Sequence, residues 1–380
     1  MKPLSPSSEA ELAELVSSTY EPLRVMGGGT RPIGVPVNAQ PLTTQKISGI
    51  ELYEPGALTL VAKAGTTIAE IEKTLAKENQ RLAFEPMDHR GLLGTTGEPT
   101  IGGVFAANVS GPRRIQCGAA RDFLLGVRFV DGQGQITRNG GRVMKNVTGY
   151  DIVKLMAGSY GTLGVMTEVA LKVLPKSHCT GVLLLEGLDD KAAIHALSRA
   201  LGSPYEVTGA AHLQEGLDGT PVTMIRIEGF ENSVAYRAGE LQELLSEFGE
   251  AALETDPDRT TNGWRYIRDV EPFHNQSGDV WRLSVKPSDA PDLVSRIDGA
   301  KAIYDWGGGL VWLLLPQDTG AEAIRTAVSE TDGHATLIRG NRAAGVFQPL
   351  AAPVAALQDG LRARFDPRGV LNPGLMGQAA

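Results

Sequence analysis

Two glycine clusters in the first half of the chain carry the clearest chemical signal. One is Gly27-Gly28-Gly29-Thr30; the other runs over residues 94–111 and contains Pro99-Thr100-Ile101-Gly102-Gly103. Glycine lacks a Cβ, so it admits positive φ and lets successive backbone N–H groups converge on phosphate oxygens. Two such loops suit a long anion, and a diphosphate is the natural guest. The first cluster follows a strand-like run, Leu23-Arg24-Val25-Met26. It has neither the Gly-x-Gly-x-x-Gly spacing that leads into a helix nor a Gly-Lys-Ser/Thr, which disfavours a nicotinamide Rossmann domain and a P-loop NTPase.

Metal chemistry finds little support. The six histidines (His89, His178, His195, His212, His274 and His334) show no His-x-His or His-x-x-x-His spacing, so no metal site is expected and each is first a surface or packing residue. Cys117 and Cys179 are too few for a disulfide framework or a four-cysteine cluster, and such sparse usage suits a reducing compartment. Any iron–sulfur cluster would sit in another chain.

The elements that must position the glycine loops fall into two or three lobes, as 380 residues require. Hydrophobic content of 42% with 21% charged residues is that of a globular protein, and a net charge of −8 without a basic stripe argues against nucleic acid. The N-terminus has no apolar signal core, and the most apolar short stretch, residues 310–315, is far too short to span a bilayer. A cytoplasmic protein is expected, with peripheral attachment at the inner face of a membrane left open. Ser8 with Glu11 and Thr67 with Glu70 have capping spacing ahead of amphipathic helices. Strands are expected at 23–26, 58–62, 123–130 and 165–174, the last stopped by Pro175. From about residue 181 a strand and helix texture takes over, with strands at 182–185, 222–227, 281–285 and 311–315 and helices at 192–201, 241–245 and 321–328. That pattern predicts an antiparallel sheet with helices on one face. No internal repeat is visible, and residues 365–374 are too turn-rich for a helix.

Several ordered motifs together resemble the vanillyl-alcohol-oxidase-type flavoproteins with a PCMH-type FAD-binding domain. They are Pro99-Thr100-Ile101-Gly102-Gly103, Asn108, Gly111, residues 118–126 (Gly-Ala-Ala-Arg-Asp-Phe-Leu-Leu-Gly), Gly149-Tyr150-Asp151, and residues 158–168 beginning Gly158-Ser159-Tyr160-Gly161. The match covers roughly residues 20–177. Residues 110–114 (Ser-Gly-Pro-Arg-Arg), residues 143–151 (Val-Met-Lys-Asn-Val-Thr-Gly-Tyr-Asp) and Leu371-Asn372-Pro373-Gly374 further resemble the smaller FAD-binding subunits of bacterial glycolate oxidases, over nearly the whole chain.

That resemblance implies an α+β protein. A two-lobed PCMH-type FAD-binding domain (residues 1–177) precedes an α+β cap with an antiparallel sheet (178–345), and a C-terminal segment (346–380) returns to the first domain. It implies a subunit that oxidises glycolate, or another D-2-hydroxy acid, in company with a larger FAD subunit and an iron–sulfur subunit. A self-sufficient D-2-hydroxy-acid dehydrogenase and a flavin-holding subunit without turnover are the alternatives. FAD would meet Met26, Gly27, Gly28, Gly29 and Thr30 on one side and Pro99, Thr100, Gly102 and Gly103 on the other. Gly161, Gly164 and Val165 would lie toward the adenine, and Gly118 belongs to the same set. Asn108 and Asp122 are balanced between turn caps and a flavin-side role; Arg121 is balanced between phosphate and a nearby carboxylate. The first loop continues Thr30-Arg31-Pro32 without the histidine that attaches flavin in related proteins, so FAD is expected to be noncovalent. Related dehydrogenases place a histidine-bearing segment near the flavin; here the corresponding residues 304–312 have none, and slow reduction of the isolated chain is expected. His274 is weighed as a general base, and Arg268 and Arg282 as forks for a substrate carboxylate, against plain packing and solvated ion pairs. Trp264, Trp281, Trp306 and Trp312 are weighed as rings stacking near an isoalloxazine against places in the core or at a subunit interface, where they would offer apolar area for docking a partner.

Overall fold

The computed structural model describes residues 1–142 and 149–377; the motif residues 143–148 lie outside the described residues. The first domain is built in two lobes. In the smaller, strand Leu23–Met26 pairs in parallel with Gln40–Thr43, and helix Glu9–Ser18 lies alongside. Leu12, Val16, Leu23, Leu42 and Ile47 form its core together with Val370 and Leu371 from the far end of the chain. Ser8 caps the helix by accepting from the Glu11 amide at 3.1 Å, while the Glu11 carboxylate turns back to the Ser7 amide, 2.7 Å away, instead of closing the box on Ser8.

The larger lobe is a five-stranded antiparallel sheet in the order Ile50–Glu54, Thr59–Lys63, Val165–Lys172, Leu124–Val130, Ile136–Gly140. Val165–Lys172 is central, and all but Glu168 and Lys172 of its residues are buried. Helix Ile68–Ala76, capped by Thr67 on the Glu70 amide at 3.2 Å, buries Ile68, Ile71 and Leu75. The strands Gln40–Thr43, Ile50–Glu54 and Ile136–Gly140 had no sequence expectation. Each is four or five residues long and lies at a sheet edge, where no apolar alternation is imposed.

The cap is one eight-stranded antiparallel sheet made of two βαββαβ halves. The first half contributes the order Ala252–Glu254, Cys179–Glu186, Val222–Gly229, Val207–Leu213. The second contributes its mirror image, Lys301–Asp305, Leu310–Leu315, Asp279–Ser284, His334–Arg339. Among the described residues the halves' strands pair at His212 opposite Tyr304 and Leu213 opposite Ile303, and the Tyr304 hydroxyl donates to Asp190 across the same seam at 2.6 Å. This duplication is structural and leaves no repeat in the sequence. The sheet's alternation sorts its two faces. Leu183, Leu185, Ile225, Leu283, Leu313 and Leu315 pack under helices Asp190–Leu201, Glu231–Leu244 and Ala321–Ser329. Val182, Met224, Val280, Ile303, Trp312 and Leu314 face the first domain and share its core with Phe84, Phe105 and Phe123.

A buried ionic cluster pins the cap to the first domain. Arg113 meets Glu85 at 2.8 Å and Glu228 at 2.7 Å, Arg81 meets Glu228 at 2.7 Å, and Arg226 meets Glu85 at 3.0 Å while lying over the Trp264 ring. Burial opposes ionisation of Glu228, but Arg226, Arg113 and Arg81 outweigh it and hold the carboxyl far below the usual carboxylate range.

All four tryptophans are buried, so they supply no docking area. The exposed apolar residues lie elsewhere: helix Ala352–Phe365 buries no side chain and presents Val354, Leu357 and Leu361 to solvent at helical spacing.

Candidate functional site

Between the two lobes of the first domain lies a cavity into which strand Leu23–Met26 delivers its glycine loop. Three segments are sewn together at its floor. The Thr43 hydroxyl donates to the Gly27 carbonyl at 2.9 Å, Asn372 accepts from the Val25 amide at 2.8 Å, and the Asn372 amide donates to the Tyr160 carbonyl at 2.8 Å. The loop is thereby fixed in an open shape. The amides of residues 27–31 donate to no other described group. A run of unpaired donors lining a cavity is what a diphosphate would satisfy, and the cradle fits FAD on that observation.

The glycines divide by role. At Gly28 a Cβ would stand 1.6 Å from the Glu98 carbonyl oxygen, and at Gly97 one would stand 1.7 Å from the Gly28 carbonyl oxygen, so these two let the loops touch back to back. Gly29 holds φ at 73° with nothing closer than 4.0 Å, and Gly103 meets only the Thr100 hydroxyl at 3.2 Å; both leave the cavity side open. Thr100 caps helix Ile101–Ala106 by accepting from the Gly103 amide.

The cavity lining includes Met26, Gly27, Gly28, Gly29, Thr30, Pro99, Thr100, Gly102, Gly103, Gly161, Gly164 and Val165 from the sequence-derived set. Asn108, Gly118, Arg121 and Asp122 are not in it. Asn108, at φ 50°, accepts from the Arg121 amide at 2.9 Å, and Asp122 accepts from the Ala119 amide at 2.8 Å beside Gly118 at φ 93°. They act as the turn caps that residue type alone suggested.

Of the three substrate-side candidates, two are engaged elsewhere. Arg268 is locked in a two-point pair with Asp269 at 2.8 and 2.7 Å. His274 points Nε2 at the Asp269 carbonyl, 2.8 Å away, and packs its ring against Gly91. Arg282 sits on the domain-facing side of strand Asp279–Ser284, over the Trp306 ring at 5.3 Å, and burial pushes its pKa down to about 10. Segment 304–312 folds as a hairpin. Its turn residue Trp306 donates its indole N–H to the Gly111 carbonyl at 3.0 Å, which fastens the cap over the second glycine run.

Sequence reasoning missed Arg31, His89 and Tyr160, which also line the cavity. Arg31 donates to the Gly103 carbonyl, and burial lowers its pKa. Tyr160 takes φ 53°, uncommon for a bulky residue. His89 is buried with Nδ1 3.3 Å from the Met87 carbonyl; burial first, then the charges of Arg31 and Arg282, drive its pKa down to about 3. Only the positions of Arg31 and Tyr160 inside quoted motifs hinted at them, and nothing local marked His89. Cys117 has its thiol pushed up to about 11 by burial and donates to the Ala83 carbonyl, so it is no thiolate.

Comparison with known proteins agrees with the cradle. The FAD binding domain family matches residues 4–140. Glycolate oxidase subunit GlcE of Escherichia coli (strain K12) is 36% identical over 364 residues, covering 94% of this chain and 93% of that protein. A D-lactate dehydrogenase of Archaeoglobus fulgidus is 28% identical over 188 residues, 48% of this chain and 40% of that one. Among solved structures, alkyldihydroxyacetonephosphate synthase superposes with a TM-score of 0.70 at 18% identity, over 97% of this chain and 76% of its own, a likeness of fold. The chain therefore belongs to the GlcE family of FAD-binding-domain oxidoreductase subunits.

Proposed function

We propose that this chain is the FAD-holding GlcE-type subunit of a glycolate oxidase complex, in which a larger flavin subunit and an iron–sulfur subunit are its partners. The observation that carries the reading is the row of unpaired amides at residues 27–31 in a chain aligned with GlcE along almost its whole length. Bound in the cradle, FAD would supply the two-electron acceptor for a 2-hydroxy acid. The chain's own residues hold and enclose it: the two loops set the cavity walls, and the buried Arg–Glu cluster keeps the cap seated. The cofactor is noncovalent in this reading, since the glycine loop offers no histidine or cysteine for attachment.

In this reading electrons leave the flavin for an iron–sulfur cluster in a partner, since two cysteines cannot ligate a four-cysteine cluster in this chain. The exposed face of helix Ala352–Phe365, whose Phe365 alone reaches the Phe129 ring, supports a partner as well. A helix of 14 residues is marginal alone, and an apolar stripe of Val354, Leu357 and Leu361 left in water is the kind of face that a subunit contact covers. The test is anaerobic addition of glycolate to the purified chain and to the co-purified complex. The expected result is slow flavin bleaching alone and fast bleaching in the complex; fast bleaching by the lone chain would replace this reading with a self-sufficient dehydrogenase.

A further inference from the structure

The cavity between the lobes is one-sided in charge. Its lining holds Arg24, Arg31 and Arg342 and, among the described residues, no aspartate or glutamate. Arg24 lies exposed on strand Leu23–Met26, and Arg342 comes across from the cap to donate to the Pro32 carbonyl. Arg31 stands between the two glycine loops. It follows Thr30 in the chain, and its guanidinium crosses to donate to the Gly103 carbonyl.

Its partners set it apart from the other arginines of the interior. Arg113, Arg226 and Arg268 each have a carboxylate within ion-pair distance. Arg31 has none, and among the described residues the Gly103 carbonyl is its sole hydrogen-bond partner. A carbonyl engages one N–H of a planar fork that offers several. None of the remaining Arg31 nitrogens is both buried and unpaired, so they open on the cavity that the residue lines.

The chain holds this fork in place. Pro32 has its φ fixed by its ring, the Ile33 amide donates back to the Arg31 carbonyl at 2.9 Å, and the Thr95 hydroxyl donates to the Thr30 carbonyl at 2.9 Å. Gly103 tethers the far end of the side chain. A fixed cation without a carboxylate, set beside a run of unpaired amides, is organised for an anion that brings several oxygens.

We propose that Arg31 is the counter-charge of the FAD diphosphate, bonding phosphate oxygens beside the amides of residues 27–31 and spanning the two loops around them. The inference rests on the flavin reading above and adds to it a charged residue that the glycine motifs do not contain. The diphosphate is the target because Arg31 is continuous with one wall of its cradle and tied at Gly103 to the other. Arg121, the arginine that the sequence motifs offered for phosphate, does not line the cavity.

The test compares Arg31→Gln and Arg31→Lys with wild type by equilibrium dialysis of FAD against apoprotein, thermal unfolding of the same apoprotein, and the midpoint potential at saturating FAD. The diphosphate carries the same charge in oxidised and reduced FAD, so a counter-ion there strengthens both states alike and leaves the potential unmoved; a cation at the isoalloxazine would favour the reduced anion. Arg31→Gln should weaken FAD about tenfold or more, with the apoprotein's unfolding temperature and the potential of bound FAD unchanged. Arg31→Lys, which keeps the charge without the fork, should fall between. Arg31→Gln binding FAD as tightly as wild type, or Arg31→Lys as weak as Arg31→Gln, overturns the inference and leaves the flavin reading intact. A lower potential in Arg31→Gln also overturns it, by placing the arginine at the ring, and a destabilised Arg31→Gln apoprotein overturns it by reducing Arg31 to a tie between loops. A wild-type apoprotein that takes up no FAD overturns the flavin reading itself.

Discussion

Adding one methyl group at Gly28 should empty the flavin site, and the size of the effect follows from the loop contact. A Cβ there would lie 1.6 Å from the Glu98 carbonyl oxygen, a backbone atom, whereas real Cβ atoms essentially never come closer than 3.0 Å. The two loops must then part by about 1.4 Å, because neither side of the contact is a flexible side chain. Amide donors set for a diphosphate at roughly 2.9 Å would move beyond hydrogen-bond range. Each bond to a charged group is worth about 1.5–3 kcal/mol, so losing two weakens FAD by about 3–6 kcal/mol, on the order of 10²- to 10⁴-fold in Kd. Gly103→Ala is the companion. Its Cβ meets only the Thr100 hydroxyl at 3.2 Å, and the residue is helical, where Ala is favoured over Gly by about 1 kcal/mol. That variant should fold at least as well as wild type and lose FAD only through intrusion on the cavity. The assay is equilibrium dialysis of FAD against apoprotein, with thermal unfolding of the same samples. Gly28→Ala binding FAD within threefold of wild type would refute the assignment of this loop.

Glu228→Gln leaves Arg81 and part of Arg113 without their buried counter-charge and should destabilise the chain by about 3–5 kcal/mol in denaturant unfolding; a loss below 1 kcal/mol would show that the cluster does not seat the cap. Because the folded pKa of Glu228 is depressed, its contribution is complete above the unfolded carboxylate value near 4.5 and is lost as pH falls further toward the folded value. Wild-type stability should therefore fall more steeply than that of Glu228→Gln below pH 4.5. Acid precipitation should leave FAD in the supernatant; flavin that stays with the polypeptide would contradict noncovalent binding and direct attention to His89. Leu357→Glu on the exposed helix should leave FAD content and unfolding unchanged but weaken co-purification of partners, and unaltered complex recovery would remove that helix from the interface.

The parts of the site that a sequence could show are those made of local backbone. Gly27 to Thr30 and Thr100 to Gly103 were legible because glycine at a strand end or a helix start has a conformational reason tied to its neighbours. The capped helices from Ser8 and Thr67 and the long central strand Val165–Lys172 were legible for the same kind of reason, strong period and clear ends. What escaped depends on distant partners. His89 acquires meaning only when it is buried in the cavity that Arg31 also lines, and Arg268 loses its candidacy only when Asp269 is seen to take two of its nitrogens. The duplicated cap was hidden because its two βαββαβ halves share geometry without sharing residues, and strands such as Val207–Leu213, buried at every position, carry no alternation. Helix Ala352–Phe365 escaped because Val354, Leu357 and Leu361 face water, so the usual link between stripe and core is missing.

Membership of a glycolate-oxidising complex, with FAD held by this chain, is open to a single purification. The tagged chain is affinity-purified from its native cell, and FAD content and glycolate-dependent dye reduction are measured on the eluate. The expected result is recovery with a larger flavoprotein and an iron–sulfur protein, releasable FAD on this chain, and activity that collapses when the tagged chain carries Gly28→Ala. A partner-free monomer with no FAD, or a complex whose glycolate oxidation is indifferent to Gly28→Ala, would contradict it.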